Sequence, residues 1–413
     1  MLQLIELCPR DYLIINAEKL FTGITPHVKK NVRIHIWDGK VQLIEKRDFN
    51  NKGLPVGRKN CRVISSDNLT VIPGLIDCHV HLALDGLNSQ PPQPGEPSLT
   101  EGLQEKLASN LAHGIIAVRD GGDRDGIGLA CRNMVNNVEL KGPVVMASGK
   151  ALRKNGGYGS FLGAGTAPGE LAQAMKKLLK DGINQFKVLV SGIVSFREYS
   201  RVGRIQFSLK ELEQIVKTAG DHGLKVMAHA SSDEAVQLCI RAGVHSIEHG
   251  YFISEDSLKA MADQGIAWIP TVVPVAVQNQ GLDDICAANA VVVEHTYRRQ
   301  LRMIRCAQQL GVILGVGTDA GAVGVQHGTG FLKELHLYQE AGLTIEETLL
   351  AATRNGAYII GMEESLGIIS PDRPAFLLLV EGDILPIPGK QFHIKYLIRP
   401  KQGRVAEGSF KSA

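Results

Sequence analysis

The sequence predicts an α/β fold: a (β/α)8 TIM barrel carrying a small β-sandwich domain built from both chain termini. Three observations lead there. Between residues 73 and 365, apolar strand-like runs alternate with helix-like segments eight times. Residues 1–72 and 366–413, on either side, hold short Val- and Ile-rich runs cut by Gly, Pro, Asn and Asp. The alternative, a doubly wound open sheet, calls for a glycine-rich phosphate turn after its first strand, and none stands there.

Taken in chain order, the first zone reads as strands at DYLIINAEKL, NVRIHIWDG, KVQLIEKR and CRVISSDNLTVI. The middle zone supplies eight buried-strand candidates: 71–81, 114–120, 143–149, 184–192, 224–230, 244–250, 266–271 and 312–320. Helical segments fall between most of them. In QFSLKELEQIVKTAGDHG, Ser208 is an N-cap, Glu211 completes a capping box three residues later and Gly223 closes the run. TAPGELAQAMKKLLKDG and TIEETLLAATRNGAYIIG read the same way. The glycine-rich stretch 156–165 follows the third strand and does not fit a dinucleotide-binding loop. AFLLLV and FHIKYLIR return to strand character, so the two ends are expected to pair.

Composition narrows the function. Of 413 residues, 44% are hydrophobic and 21% charged, which excludes a disordered chain. A net charge of +3 supplies no concentrated basic field, so neither nucleic acid nor an anionic membrane is an expected partner. The seven cysteines are scattered, with no C-x-x-C, which suggests a reducing cytoplasm rather than a disulfide framework. Met1 to Asp11 lacks the marks of a signal peptide, and no apolar run reaches the length of a membrane helix. The expected partner is therefore a small-molecule substrate. A homo-oligomer is compatible with such a barrel, although no interface motif marks one.

Barrel active sites lie at the C-terminal ends of the strands. Here those ends carry His79, His81, Lys187, His229, His249 and Asp319. His79 and His81 stand two apart on one strand, so both point to one face, as a shared metal ion requires. Each of the others has an ordinary reading alone, as a core histidine or a helix cap. Their coincidence at the mouths of different strands of one barrel points to metal. Lys187 is the sharpest case. Alternation places it opposite Phe186, Val188 and Val190, which suit the helix layer, so the lysine points into the barrel. Lysine is rarely buried without a partner, and burial depresses its pKa. A neutral amine adds carbon dioxide to give a carbamate, a carboxylate on a long arm able to bridge two ions. The competing reading is a buried lysine paired with one acid such as Asp319.

VIPGLIDCHVHL, FKVLVSG, VMAHA, SIEHG and GTDAG resemble the signature strands of the amidohydrolase superfamily, in its binuclear branch with a carbamylated lysine. AVRDGG, QFSLKELEQIV and HGTGFLKELHLYQEAGLT are similar to its imidazolonepropionase-like and Xaa-Pro dipeptidase-like members. The resemblance covers nearly the whole chain. It implies that His79, His81 and Asp319 hold one divalent ion, most simply zinc, that His229 and His249 hold a second, and that carbamylated Lys187 bridges them. It further implies a bridging hydroxide that attacks an amide carbonyl, with Asp319 as the catalytic proton shuttle to the leaving amine.

Two departures stand out. Dipeptidase-like relatives often carry T-G-G-H after the third strand, where this chain has Asn155-Gly156-Gly157-Tyr158. The usual G-K-x-A-D-L near the end reads Pro371-Asp372-Arg373-Pro374-Ala375-Phe376. Arg153, Lys154 and Tyr158 are candidates to bind a substrate carboxylate, and His327 to hydrogen-bond substrate. Arg119 and Asp120 are read as a structural ion pair. The leading function is a binuclear hydrolase of an amide bond, in a dipeptide or an N-acyl amino acid. A mononuclear deaminase or cyclic amide or lactone hydrolase is the alternative, and a non-catalytic barrel is a third. Deaminase-like members carry H-x-x-E on strand five, whereas Ser232 stands third after His229. All six expected ligands are present, which a non-catalytic relative would not need.

Overall fold

Strand-forming residues from the two ends of the chain meet in one sheet. The computed structural model describes residues 2–47, 61–86, 97–279, 289–382 and 393–401. From the N-terminal side come β1 (Gln3–Leu7), β2 (Tyr12–Phe21), β3 (Val28–Trp37), β4 (Lys40–Lys46), β5 (Cys61–Ser65) and β6 (Leu69–Pro73). The barrel zone follows with β7 (Leu75–Val80), β8 (Ile115–Asp120), β9 (Val144–Ala147), two short strands β10 (Arg153–Lys154) and β11 (Gly165–Thr166), β12 (Gln185–Leu189), β13 (Lys225–Ala230), β14 (Ser246–His249) and β15 (Ala267–Ile269). The chain returns through β16 (Leu377–Glu381) and β17 (His393–Pro400). The terminal sheet runs β1-β17-β16-β6-β2-β3-β4, with β5 beside β2. It encloses its own apolar core around Leu13, Ile15, Ile34, Val71, Leu377 and Ile398. Strand β1 has no counterpart in the expected elements. It is short, and its pairing partner β17 lies at the far end of the sequence.

The barrel strands run parallel in two arcs, β7-β8-β9 and β12-β13-β14-β15. A bridge from Leu152 to Val188 joins them on one side. Two expectations are corrected here. The run 71–81 is not one strand: β6 belongs to the terminal sheet, and the chain enters the barrel at Gly74, where a Cβ would lie 2.3 Å from Ile116 Cγ1. The run 312–320 forms no regular strand. It closes the barrel through single bridges at Leu314 to Trp268 and Ala320 to Val80. Gly317 permits this close approach, since a Cβ there would sit 2.5 Å from Ile269 Cγ2 and 2.8 Å from His79 Cβ.

Helices α1 (Pro97–Ala112), α2 (Ile127–Asn136), α3 (Leu171–Lys180), α4 (Leu209–Asp221), α5 (Asp233–Ala242), α6 (Glu255–Gln264), α7 (Val273–Asn279), α8 (Ala290–Leu310) and α9 (Thr329–Glu340) accompany the strands. The expected capping box of α4 is present: Glu211 N donates to Ser208 Oγ and Ser208 N to Glu211 Oε2. The run from Thr344 is one helical path in three parts, α10 (Ile345–Leu350), a π turn (Ala351–Asn355) and α11 (Gly356–Ile360). Asn355 Nδ2 reaches from that turn to the Leu314 carbonyl at 2.9 Å, tying it to the irregular eighth barrel segment. The six described cysteines are unpaired; Cys286 lies outside the described residues. Among the described residues no helix is long and apolar enough to cross a membrane.

Candidate metal centre

Each strand end contributes a side chain whose orientation is set by a backbone or second residue. His79 and His81 leave β7 on the same face, ring centroids 5.4 Å apart. His79 Nδ1 meets Glu248 Oε2 at 2.8 Å, and His81 Nδ1 meets the Gly122 carbonyl at 2.8 Å. His249 Nδ1 lies 2.7 Å from Thr271 Oγ1, and that hydroxyl donates its single proton to the Pro270 carbonyl. His229 Nε2 faces the Gly192 carbonyl at 3.3 Å. All four partners act as acceptors, so the nitrogen facing each one carries the proton. The lone pairs left over are Nε2 of His79, His81 and His249 and Nδ1 of His229. This is the second-sphere arrangement that aims imidazoles at a metal.

The other two expected ligands sit among them. Asp319 Oδ1 lies 3.5 Å from His79 Nε2 and 3.4 Å from His81 Nε2. Lys187 is 1% exposed, with Nζ 3.3 Å from His79 Nε2. The His249 ring lies 5.0 Å from that of His79 and 4.6 Å from that of His229. One donor atom each from His79, His249 and Asp319 falls within a 4.8 Å cluster. That trio draws on both ligand sets the resemblance separates, so the six residues form one compact centre.

Burial decides the charge states. It pushes His81 and His229 down to about 3, with the Lys187 charge acting the same way. His79 and His249 are also held well below the ordinary range, chiefly by burial. All four are therefore neutral at pH 7, the form that binds metal. Burial pushes Asp319 up to about 7 against the pull of Lys187. It lowers Lys187 to about 8 against the pull of Glu248 and Asp319. Three site residues also hold left-handed backbone: His249 (φ +70°), Thr271 (φ +50°) and Asp319 (φ +57°). Such strain is costly for non-glycine residues, above all for β-branched Thr271, and collects at functional sites.

Several supporting residues escaped the sequence reading. Glu248 is fully buried and splits its carboxylate, Oε2 to His79 and Oε1 to Arg119 Nη2 at 2.8 Å. Arg119 also donates to Ser246 Oγ and to the Cys78 carbonyl. The expected Arg119–Asp120 pair is thereby corrected. Neighbours on a strand point to opposite faces, and Asp120 instead accepts Leu82 N and Gly122 N. Asp77 clamps the eighth segment to the first strand through Thr318 N and Oγ1. Glu334 of α9 accepts Val272 N and Val273 N, fixing the loop that bears Thr271. The signal that marks Arg119 and Glu248 in the sequence is a charge inside an apolar strand run, as at Lys187. Glu248→Gln should cost about 3–5 kcal/mol of stability, because it leaves the buried Arg119 charge uncompensated. Denaturant unfolding of the metal-free protein checks this; an unchanged midpoint would contradict it.

The expected substrate contacts divide. Arg153 is turned toward its own loop, its Nε and Nη2 donating to the Tyr158 and Gly157 carbonyls at 3.2 and 2.9 Å. Lys154 is ion-paired with Glu211. Tyr158 does reach the centre, its ring 5.4 Å from that of His229, and burial, with the Asp319 charge behind it, pushes its phenol up. His327 is 7% exposed, and burial pushes its imidazole down to about 3, with the His81 backbone beside it. It lines a cavity of about 290 Å³ with Leu84, Lys106, Ser109 and Gly321. Tyr251, which was not expected, stacks on His249 at 5.7 Å and 7°.

The model of the amidohydrolase family matches residues 70–403. Ochratoxinase of Aspergillus niger is 27% identical over 333 residues, 72% of this chain, and the match spans 66% of that relative's length. Imidazolonepropionase of Clostridium tetani is 24% identical over 397 residues, covering 86% of this chain and 85% of the relative. Among solved structures, a Xaa-Pro dipeptidase with methionine bound in its active site superposes with a TM-score of 0.78 at 26% identity, over 90% of this chain and 94% of that one.

Proposed function

The chain belongs to the amidohydrolase family, and from that premise we propose that it is a binuclear metal-dependent hydrolase of the carbamylated-lysine branch. It cleaves a non-ring or peptide C–N bond of a small molecule such as a dipeptide or N-acyl amino acid. One observation carries this reading: four neutral imidazoles, each with its proton held by an outer acceptor, aim lone pairs at a space shared with Lys187 and Asp319. That donor set suits zinc.

His79, His81 and Asp319 would hold one ion and His229 with His249 the other, with the Lys187 carbamate between them. When bound, the ions would polarise an amide carbonyl and acidify water. The remaining work falls to the chain itself. Asp319 takes the proton of the attacking water and delivers it to the departing nitrogen. Its partly open side chain, 18% exposed beside buried His79, suits a group that faces both centre and substrate. Tyr158 and His327 touch substrate, and Arg153 holds the Tyr158 loop in place. Ser232 supports two ions over the mononuclear deaminase alternative. It stands where an H-x-x-E glutamate would, and its hydroxyl caps α5 by accepting Ala235 N.

The same reading takes the terminal sheet, built from 1–72 and 366–413, as a β-sandwich beside the 73–365 barrel. It places the enzyme in the cytoplasm, acting on a small-molecule substrate. Zinc-loaded protein should hydrolyse linear amides among dipeptides and N-acyl amino acids, and a chelator should abolish this. Turnover restricted to lactones or cyclic amides would overturn the substrate assignment.

A further inference from the structure

The wall of the centre on the His229 side is apolar and reaches the surface. Tyr158 lies against His229 and packs in a small cluster with Leu84, Leu162 and Leu189. Leu84 follows the first barrel strand and Tyr158 the third, so the phenol ring joins two strand mouths next to the proposed ions. Phe161 meets Tyr158 edge to face, with centroids 5.8 Å apart and an interplanar angle of 79°, yet remains 44% exposed. Ile193, 55% exposed, directly follows the Gly192 carbonyl that orients His229. Two basic residues of this loop are turned away from the wall: Arg153 donates to backbone carbonyls and Lys154 pairs with Glu211. Large apolar side chains left open beside a polar centre mark where an apolar part of a ligand sits.

We propose that Tyr158 and Phe161 are specificity-determining residues that receive an aryl or bulky apolar substituent next to the scissile amide. This rests on the metal-centre reading above and adds the substrate class. An aromatic substituent would extend the edge-to-face pair and cover the exposed ring of Phe161. A small substituent would leave that ring in water.

Calorimetry with benzylphosphonate and methylphosphonate, in the presence of zinc, reads this preference without turnover. Benzylphosphonate should bind about tenfold more tightly, equivalent to about 1.4 kcal/mol. Phe161→Ala should remove most of that ratio, and Phe161→Tyr should keep it. The side chain is half in solvent, so neither change threatens the fold. A ratio below about threefold in the wild type, binding by neither phosphonate, or a ratio unmoved in Phe161→Ala overturns the proposal. Hydrolysis of N-acetyl amino acids judges the amide-hydrolase reading separately, since it needs no apolar substituent.

Discussion

Asp319→Asn is expected to lower kcat by about 10³-fold while leaving the fold intact. The substitution is close to isosteric and keeps an oxygen facing His79 and His81, but it removes the only carboxylate among the six expected ligands placed to carry a proton. Linkage supplies a second readout. Burial raises Asp319 from its ordinary value of 3.8 to about 7 in the metal-free protein. Between those values the folded state binds the proton that the unfolded state has released, so stability falls as pH rises through that window. The asparagine variant lacks this loss. At pH 8 without metal it should therefore melt at or above the wild-type temperature while being inactive. An active variant would remove Asp319 as the proton carrier. A variant unstable under these conditions would contradict the burial argument.

Lys187→Ala, and the better-filling Lys187→Met, should abolish measurable turnover, because the lysine is the one side chain able to place a carbamate among all four histidines. Its Nζ stands 3.3 Å from His79 Nε2 in a site it fills almost without solvent contact. Burial lowers its pKa to about 8, so a useful fraction of free amine is present near neutrality, as carbamate formation requires. Wild-type activity should accordingly rise when zinc is added together with bicarbonate. The variants should respond to neither. Stability bears on the same residue with the opposite sign from Asp319. Its folded pKa lies below the ordinary 10.5, so between about 8 and 10.5 the unfolded state binds the extra proton and metal-free wild type gains stability as pH rises. Lys187→Met should lose that gain, a difference thermal melts at pH 8 and pH 10 would show.

Much of this centre was legible because strand periodicity is local. Alternation around Lys187 is enough to turn it inward, and the H-x-H spacing is enough to put His79 and His81 on one face. The eighth barrel segment reads as a strand for an equally local reason. GVGT reads as apolar and extended, whereas Gly317 is there to let the backbone press onto β7, a fact about its neighbour. The supporting shell was hidden more deeply. Arg119 and Glu248 lie 129 residues apart and meet only through the barrel's closure, so neighbour-by-neighbour reading paired Arg119 with Asp120 instead. Thr271 carries no sign of its role in the sequence, because its hydroxyl meets His249 from 22 residues away across two strand mouths. The Arg153 guanidinium was expected to face substrate, and it faces its own loop because the carbonyls of Gly157 and Tyr158 come within reach only when that loop folds back.

The central claim is a two-ion centre bridged through Lys187. Zinc per chain, measured by elemental mass spectrometry after equilibration and dialysis, tests it most directly. Two ions are expected in the wild type and fewer in Lys187→Met. A single ion in the wild type, retained undiminished in Lys187→Met, would contradict it.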